Sequence, residues 1–551
     1  MTQLLIVMQI LLSLVVGAYF FRQLRREREA RPARREARAE MEHVRHLRSI
    51  RLSQPLNEAV RPKSFAEIIG QEEGVRALKA VLCGENPQHV LIYGPPGVGK
   101  TCAARLALEA AKRSEGTPFG ADAPFVEMDA TCLRFDERAI ADPLFGSVHD
   151  PIYQGAGPLG QSGVPQPKEG AVTRAHGGVL FLDEIGEMHP VQMNKLLKVL
   201  EDRVVRLDSA YYDPTDEATP AYIHDIFQNG LPADFRLIGA TTRGPADIPP
   251  ALRSRCMEIY FRPLERRELA LVAENAARRA GYDLAREDAA LVAAYADSAR
   301  TAVNLVQLAA ATARQEKRAG ILRADVEYVA ACSRRALARE PEPVAGDTPG
   351  QVNALAVGGA EVGSILCAEA VARPGRGELR VTGVVGEEEV ADGHGRRLRR
   401  AGTARDSAEA ARTALAGLGV PVERYDIHVN FPGGALVDGP SAGLAMAVAM
   451  RSAISGEPVA SDAAMTGEIS VTGAVLSVGG VRAKVRAAAR AHLRRVLIPW
   501  DNRAEAGEED IEIVPVRTLK EALEHLRAPA PVNVPAIAPP AILSASPAKN
   551  A

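Results

Sequence analysis

The first stretch whose residue types and spacing could do chemistry is Gly94-Pro95-Pro96-Gly97-Val98-Gly99-Lys100-Thr101. It follows an apolar, strand-like run and opens a helix-like one, the setting in which such a loop wraps phosphates. Its glycines let backbone N–H groups turn inward around an anion, and a helix N-terminus favours negative charge. Lys100 is placed to neutralise β- and γ-phosphates, and Thr101 to ligate Mg²⁺. Further on, Val179-Leu180-Phe181-Leu182 leads into Asp183 and Glu184. Asp183 would hold Mg²⁺, directly or through water, and Glu184 would polarise an attacking water. Adjacent carboxylates are ordinarily a solvated turn. Four apolar residues before them and a phosphate loop upstream favour the nucleotide reading.

A second constellation lies near the other end. FPGGALVDGPSAGLAMAVAM (431–450) sets Ser441 in a Gly/Pro-flanked turn before an apolar, Ala-rich helix. Such a turn exposes a hydroxyl and can aim backbone N–H groups at an oxyanion. Taken alone, a serine before a helix is an ordinary N-cap. A further segment, MTGEISVTGAVLSVGGVRAKVRAAARA (465–491), reads as strand, turn and helix, with Lys484 among small apolar neighbours. A lysine kept from water loses basicity and can act as general base for a serine. His428 and His492 fall outside these motifs, so a Ser–Lys pair is the economical arrangement.

The elements that must position these groups follow from the hydrophobic pattern. From Phe65 to Arg335 short apolar runs alternate with amphipathic segments, as in a wound α/β domain. Strands read at 89–94, 124–130, 178–184 and 235–242, and an Ala-rich helical piece from Glu265 onward. The Pro/Gly/acid-rich stretch 337–350 reads as a linker, and a second α/β region follows. The expected organisation is an apolar anchor at 1–21, a charged stalk at 22–60, a nucleotide-binding core at 61–264 and a helical lid at 265–336. The linker at 337–350 then leads to an α/β hydrolytic domain at 351–527 and a Pro/Ala-rich tail at 528–551, read as disordered.

Composition excludes little. The chain is 46% hydrophobic and 25% charged with net charge −2, so nothing global calls for nucleic acid. Six scattered cysteines without a CxxC pair suggest neither a disulfide framework nor a zinc site. The run Leu4–Phe21 carries no charge and approaches the length of a spanning helix. Arg22, Arg25, Arg26 and Arg28 follow it, so a single-pass anchor with the bulk of the chain in the cytoplasm is expected. A cleaved signal peptide is the competing reading, opposed by charge that follows the apolar run instead of preceding it.

With both constellations in place, the first region resembles the AAA+ ATPases. The resemblance implies ATP and Mg²⁺ as cofactors and a polar sensor at Thr241 or Thr242. It also implies an arginine finger at Arg255, with Arg253 as alternate, and a lid sensor at Arg300. A finger acting on a neighbour implies a closed ring, a hexamer by resemblance. The stretch 144–178, too rich in Gly and Pro for a core and too ordered in its punctuation for a random linker, would supply pore-facing loops, with Tyr153 the candidate to grip substrate.

The blocks DGPSAG, TGE and VGGVRAKV resemble, in order, the proteolytic domain of the Lon family. VNALAV (352–357) and RVTGVVGEEEV (380–390) resemble its opening strands. The resemblance covers roughly residues 60–527 and implies an ATP-dependent serine endopeptidase acting on protein substrates, with Ser441 as nucleophile and Lys484 as base. It gives Thr466 the task of orienting the lysine and Asp438 that of shaping the serine turn. The large N-terminal recruitment domain of A-type members has no counterpart, and no apolar run interrupts 102–176 as in archaeal members. The bacterial B-type, LonB-like enzymes with one N-terminal anchor match better. The competing function is an AAA+ remodeller or regulator: LFG to GGVLFLDEIGE also resembles activators of alternative-sigma-factor transcription. Those carry a helix-turn-helix where this chain carries the serine–lysine region.

Overall fold

The computed structural model describes residues 16, 19, 41–50, 56–133, 142–149, 164–209, 212–216, 219–337, 348–358, 362–384, 387–391, 397–401, 403–432 and 439–526. Nearly all of Leu4–Phe21, Tyr153, Asp438, most of the linker and the tail lie outside them. Among the described residues no helix is long and apolar enough to cross a membrane. The chain divides into two compact units, Met1–Val60 and Arg61–Ala551. In the first, residues 41–49 are helical with exposed side chains.

The second unit holds two large sheets. The N-terminal one has five parallel strands in the order Phe125–Asp129, Val179–Asp183, Arg236–Thr241, His89–Tyr93, Cys256–Tyr260. All four strand readings therefore fall on strands, within a residue or two at each end. Parallel strands need both faces covered, and alternation along His89–Tyr93 divides the work. Val90 and Ile92 pack with helices Glu72–Leu82 and Lys100–Ala111, whereas Leu91 and Tyr93 join a second core that includes helix Pro190–Asp202. The loop Gly94–Gly99 leaves the carboxyl end of a central strand, where ligands bind in open α/β sheets.

The described flanks of 144–178 correct the reading that this stretch is too rich in Gly and Pro for a core, while the pore-loop candidate lies outside the described residues. Leu144, Phe145 and Val164 are buried, and Gly146–His149 pairs antiparallel with Gln166–Glu169. Apolar residues on both sides of the Gly/Pro-rich centre are thus part of the buried interior. The helical piece forms as expected, with helices Arg266–Ala280, Arg286–Tyr295, Ala299–Gln315 and Arg323–Cys332.

The second sheet has seven strands in the order Leu379–Thr382, Tyr425–Asn430, Val362–Pro374, Gln351–Gly358, Ala463–Met465, Arg495–Pro499, Glu512–Val516. Helix Gly443–Ser455 shares one core with Val352, Ala354 and Leu497, while helix Val481–Arg490 shares a separate core with Leu355, Ile365 and Val496. The serine-side and lysine-side helices thus cover opposite faces.

Candidate active site

At the phosphate loop, Gly97 and Gly99 adopt positive φ of 76° and 97°, which side chains with a Cβ resist. Helix Lys100–Ala111 starts at Gly99, so Thr101 lies in its first turn. Lys100 is 7% exposed, and its Nζ donates to the carbonyls of Gly94 (2.5 Å), Pro95 (3.2 Å) and Thr241 (3.4 Å). Burial lowers its pKa, while Glu184 and Asp183 act to raise it. Burial raises that of Asp183, and the neighbouring Glu184 carboxylate adds to the rise. A carboxylate so placed is short of positive charge, which fits a cation beside the phosphates.

Glu184 has φ of 49°, in the left-handed region, and its Oε2 accepts from the Thr242 amide (3.1 Å) and hydroxyl (3.0 Å). Thr241 turns elsewhere: it is buried, and its Oγ1 accepts from the Arg243 amide at 3.0 Å. Of the two threonines, Thr242 is the one that touches the acidic pair. A Cβ on Gly97 would stand 3.3 Å from the Cβ atoms of both Ser298 and Arg300, so the lid helix Ala299–Gln315 begins against the phosphate loop.

The two finger candidates separate. Arg253 donates to Glu258 from Nε (2.6 Å) and Nη2 (3.3 Å), a bidentate pair within its own chain. Arg255 is exposed; its Nη1 donates to the Ala251 carbonyl (2.9 Å) and its Nη2 lies 3.6 Å from Glu201. It precedes strand Cys256–Tyr260, whose first residue pairs with His89. Arg255 is therefore at the opposite end of the sheet from its own phosphate loop, a strand's length away.

In the second sheet, Ser441 sits in the short 3₁₀ turn Pro440–Ala442 that leads into helix Gly443–Ser455. That helix is buried nearly all round because sheet and helix Thr403–Gly417 enclose it. The Ser441 carbonyl accepts from the Gly467 amide (2.9 Å) and the Thr466 hydroxyl (3.3 Å). Leu444 N–H returns a bond to the Gly467 carbonyl at 2.9 Å, and Ser407 Oγ donates to the Pro440 carbonyl at 3.1 Å. Thr466 thus braces the serine turn. Its amide donates to the Leu497 carbonyl at 3.1 Å.

Lys484 occupies the sheet-facing stripe Val481, Lys484, Val485, Ala488 of its helix and is 1% exposed. Burial alone lowers its pKa to about 8. Among the described residues Ser441 Oγ and Lys484 Nζ are not hydrogen-bonded to each other, a bond of the kind that often tightens only with substrate. His428 Nε2 is engaged with the Thr382 hydroxyl at 2.9 Å, and His492 follows the lysine helix.

Sequence reasoning missed three groups. Ser407 is a polar residue on the buried stripe of an Ala-rich helix, a signal that was available. Asn502, 3% exposed, donates from Nδ2 to the Val478 carbonyl (3.1 Å) and accepts the Val478 amide (2.9 Å), pinning the approach to the lysine helix. At Gly363 a Cβ would collide with the Ala483 carbonyl, so only glycine lets that helix seat on its strand.

A phosphate-binding motor joined to a domain that carries both a buried, weakly basic lysine and a serine turn fits an energy-dependent peptidase. The comparisons narrow the class. Residues 333–528 match the Lon protease (S16) C-terminal proteolytic domain, and residues 64–224 match magnesium chelatase, subunit ChlI. Lon protease 2 of Bacillus subtilis (strain 168) is 50% identical over 523 residues, 94% of this chain and 95% of that one. An archaeal Lon protease of Thermococcus kodakarensis is 29% identical over 456 residues, 73% of this chain and 66% of that one. Lon protease 1 of Sorangium cellulosum is 40% identical over 189 residues, 31% of this chain and 22% of that one. The chain belongs to the Lon protease family, the ATP-dependent serine proteases.

Proposed function

We propose that Ser441 is the nucleophile and Lys484 the general base of this protease. The observation that carries the assignment is the buried, weakly basic lysine on an otherwise apolar stripe. A neutral Lys484 amine takes the Ser441 proton as Oγ attacks the peptide carbonyl. The resulting ammonium returns that proton to the leaving amine, giving an acyl-enzyme. Water, deprotonated by the same amine, then attacks the acyl carbon; the Oγ–C bond breaks, the ammonium returns its proton to Ser441 Oγ, and the acid leaves. Gly467 and Thr466, by holding the Ser441 carbonyl, fix the turn from which the hydroxyl projects. Asp438 would shape the same turn from the preceding loop.

In the motor, Gly94 to Gly99 and Lys100 hold the phosphates. Thr101 and Asp183 hold the metal; Mg²⁺, when bound, spreads the charge that builds on the transferred phosphoryl group. Glu184, oriented by Thr242, polarises the water, and Arg300 reads the nucleotide from the lid. Arg255 completes a neighbour's site in a hexameric ring, and Tyr153 grips substrate in the pore. The segment Leu4–Phe21 anchors the chain in the cell membrane with both enzymatic domains in the cytoplasm.

Digestion of casein by the wild type, Ser441→Ala and Lys484→Ala, with and without ATP, tests the assignment. Loss of cleavage with ATP hydrolysis retained supports it, and surviving cleavage in either variant overturns it. Fractionation of a tagged full chain, and of one lacking 4–21, tests the anchor; native mass measurement tests the ring.

A further inference from the structure

The lysine helix has an outer face as well as an inner one. Lys484 points into the sheet, while Arg482 and Arg486, one turn apart, form a ridge on the side away from it. That ridge meets the motor. Glu73, in the first turn of helix Glu72–Leu82, accepts from Arg482 Nη2 at 3.1 Å and 3.3 Å and lies 3.7 Å from Arg486 Nη2. Arg486 is also held by Glu509 at 2.7 Å.

The helix that carries Glu73 is fastened to the nucleotide loop. A Cβ on Gly74 would stand 2.6 Å from the Phe261 ring, so glycine is required for this approach. Phe261 N–H in turn donates to the Tyr93 carbonyl at 2.7 Å, one residue before Gly94. Leu78 and Leu82 of the same helix share a buried core with Ala107 and Leu108 of the phosphate-loop helix. An unbroken chain of close-packed contacts therefore runs from the loop to the helix that carries Glu73.

We propose that Glu73 is a positioning residue for Lys484, setting the lysine helix against strand Val362–Pro374 according to the nucleotide state of the motor. The inference rests on Lys484 being the base. An exposed ion pair contributes under about 1 kcal/mol to stability, so this contact does not hold the two domains together. That weakness suits a contact made and broken in each cycle. Misplacing a catalytic group by about 1 Å can cost on the order of 10²-fold in rate, so a small tilt of the helix suffices.

The test uses the full chain and a short unstructured fluorogenic peptide, which needs no unfolding. Its cleavage is measured with no nucleotide, with ATP and with a non-hydrolysable analogue, for wild type, Glu73→Arg, Arg482→Glu and the charge-swapped double variant. The expected result is a nucleotide-dependent rise in kcat in the wild type that falls about fivefold or more in each single variant. The swap should recover it, with ATP hydrolysis unchanged throughout. A wild-type rate indifferent to nucleotide, single variants with the full rise, or a swap that recovers nothing would each overturn the proposal. Lys484→Ala in parallel separates the two readings: cleavage surviving there sinks the base assignment itself, whatever the Glu73 variants do.

Discussion

Thr242 grips the carboxylate of Glu184 twice, its amide at 3.1 Å and its hydroxyl at 3.0 Å both donating to Oε2. The two residues come from neighbouring strand ends, and Glu184 itself is held in a left-handed backbone conformation. A carboxylate fixed from two directions can present its other oxygen to a water without first reorganising.

Thr242→Val keeps the shape and the amide donor but removes the hydroxyl. A hydrogen bond to a charged group is worth about 1.5–3 kcal/mol, so kcat for ATP should fall roughly tenfold or more with KM little changed. Steady-state hydrolysis measures both. An unaltered kcat would remove Thr242 from the positioning of Glu184.

The pH behaviour follows from Lys484. Only the neutral amine accepts the serine proton, and its pKa is lowered to about 8. Peptide cleavage should therefore rise with pH and level off above that value, whereas ATP hydrolysis should not follow the same curve. Stability moves the same way. Between the folded pKa near 8 and the unfolded value of 10.5 the unfolded chain binds more protons, so the fold gains stability as pH rises through that window. Lys484→Met should abolish cleavage yet raise the melting temperature at pH 7, where the buried charge is costly, with the gain vanishing above about pH 10. A variant less stable at pH 7 would contradict the buried-charge account.

Gly363→Ala tests the seating of the lysine helix without touching either reactive side chain. The added methyl meets the Ala483 carbonyl, one residue from Lys484, and backbone cannot swing aside as a side chain can. Overpacking of this kind costs about 1–3 kcal/mol. The expected outcome is a lower melting temperature with peptide kcat reduced far more than KM, while ATP hydrolysis persists. Full peptidase activity would mean that the helix position is not critical.

What could be read from the sequence and what could not divides along physical lines. Four of the five strands of the motor sheet follow short apolar runs in the sequence, and the phosphate loop is a contiguous motif, so both were readable locally. Lys484 was readable because a charge on an apolar helical stripe is conspicuous. The braces were not. Ser407 meets Pro440 across 33 residues and Asn502 meets Val478 across 24. Which hydroxyl or amide finds which carbonyl is set by how strands and helices stack. Thr466 shows the same limit: its motif position was visible, but its partner, the Ser441 carbonyl, follows from where strand Ala463–Met465 ends relative to the serine turn. Leu144 and Phe145 were obscured by the Gly/Pro-rich residues around them, which mask a local apolar anchor.

The choice between Arg253 and Arg255 was open in the sequence, and the geometry separates them. Arg253 is committed to Glu258, a carboxylate that also accepts from the Tyr93 hydroxyl at 3.1 Å. Arg253→Ala should therefore act on folding of the edge strand. Arg255 is exposed at the end of the sheet remote from its own phosphate loop, so any γ-phosphate it reaches belongs to a neighbour. Arg255→Ala should keep nucleotide affinity and lose on the order of 10³-fold in ATP turnover, the scale of a missing finger. Glu184→Gln should be equally inactive, for want of a polarised water. Mixed before assembly, the two dead variants should regain activity. At every interface where an Arg255→Ala subunit supplies Glu184 and a Glu184→Gln subunit supplies Arg255, the site is whole. Failure to regain turnover in co-assembled subunits would mean that Arg255 does not complete a neighbour's site.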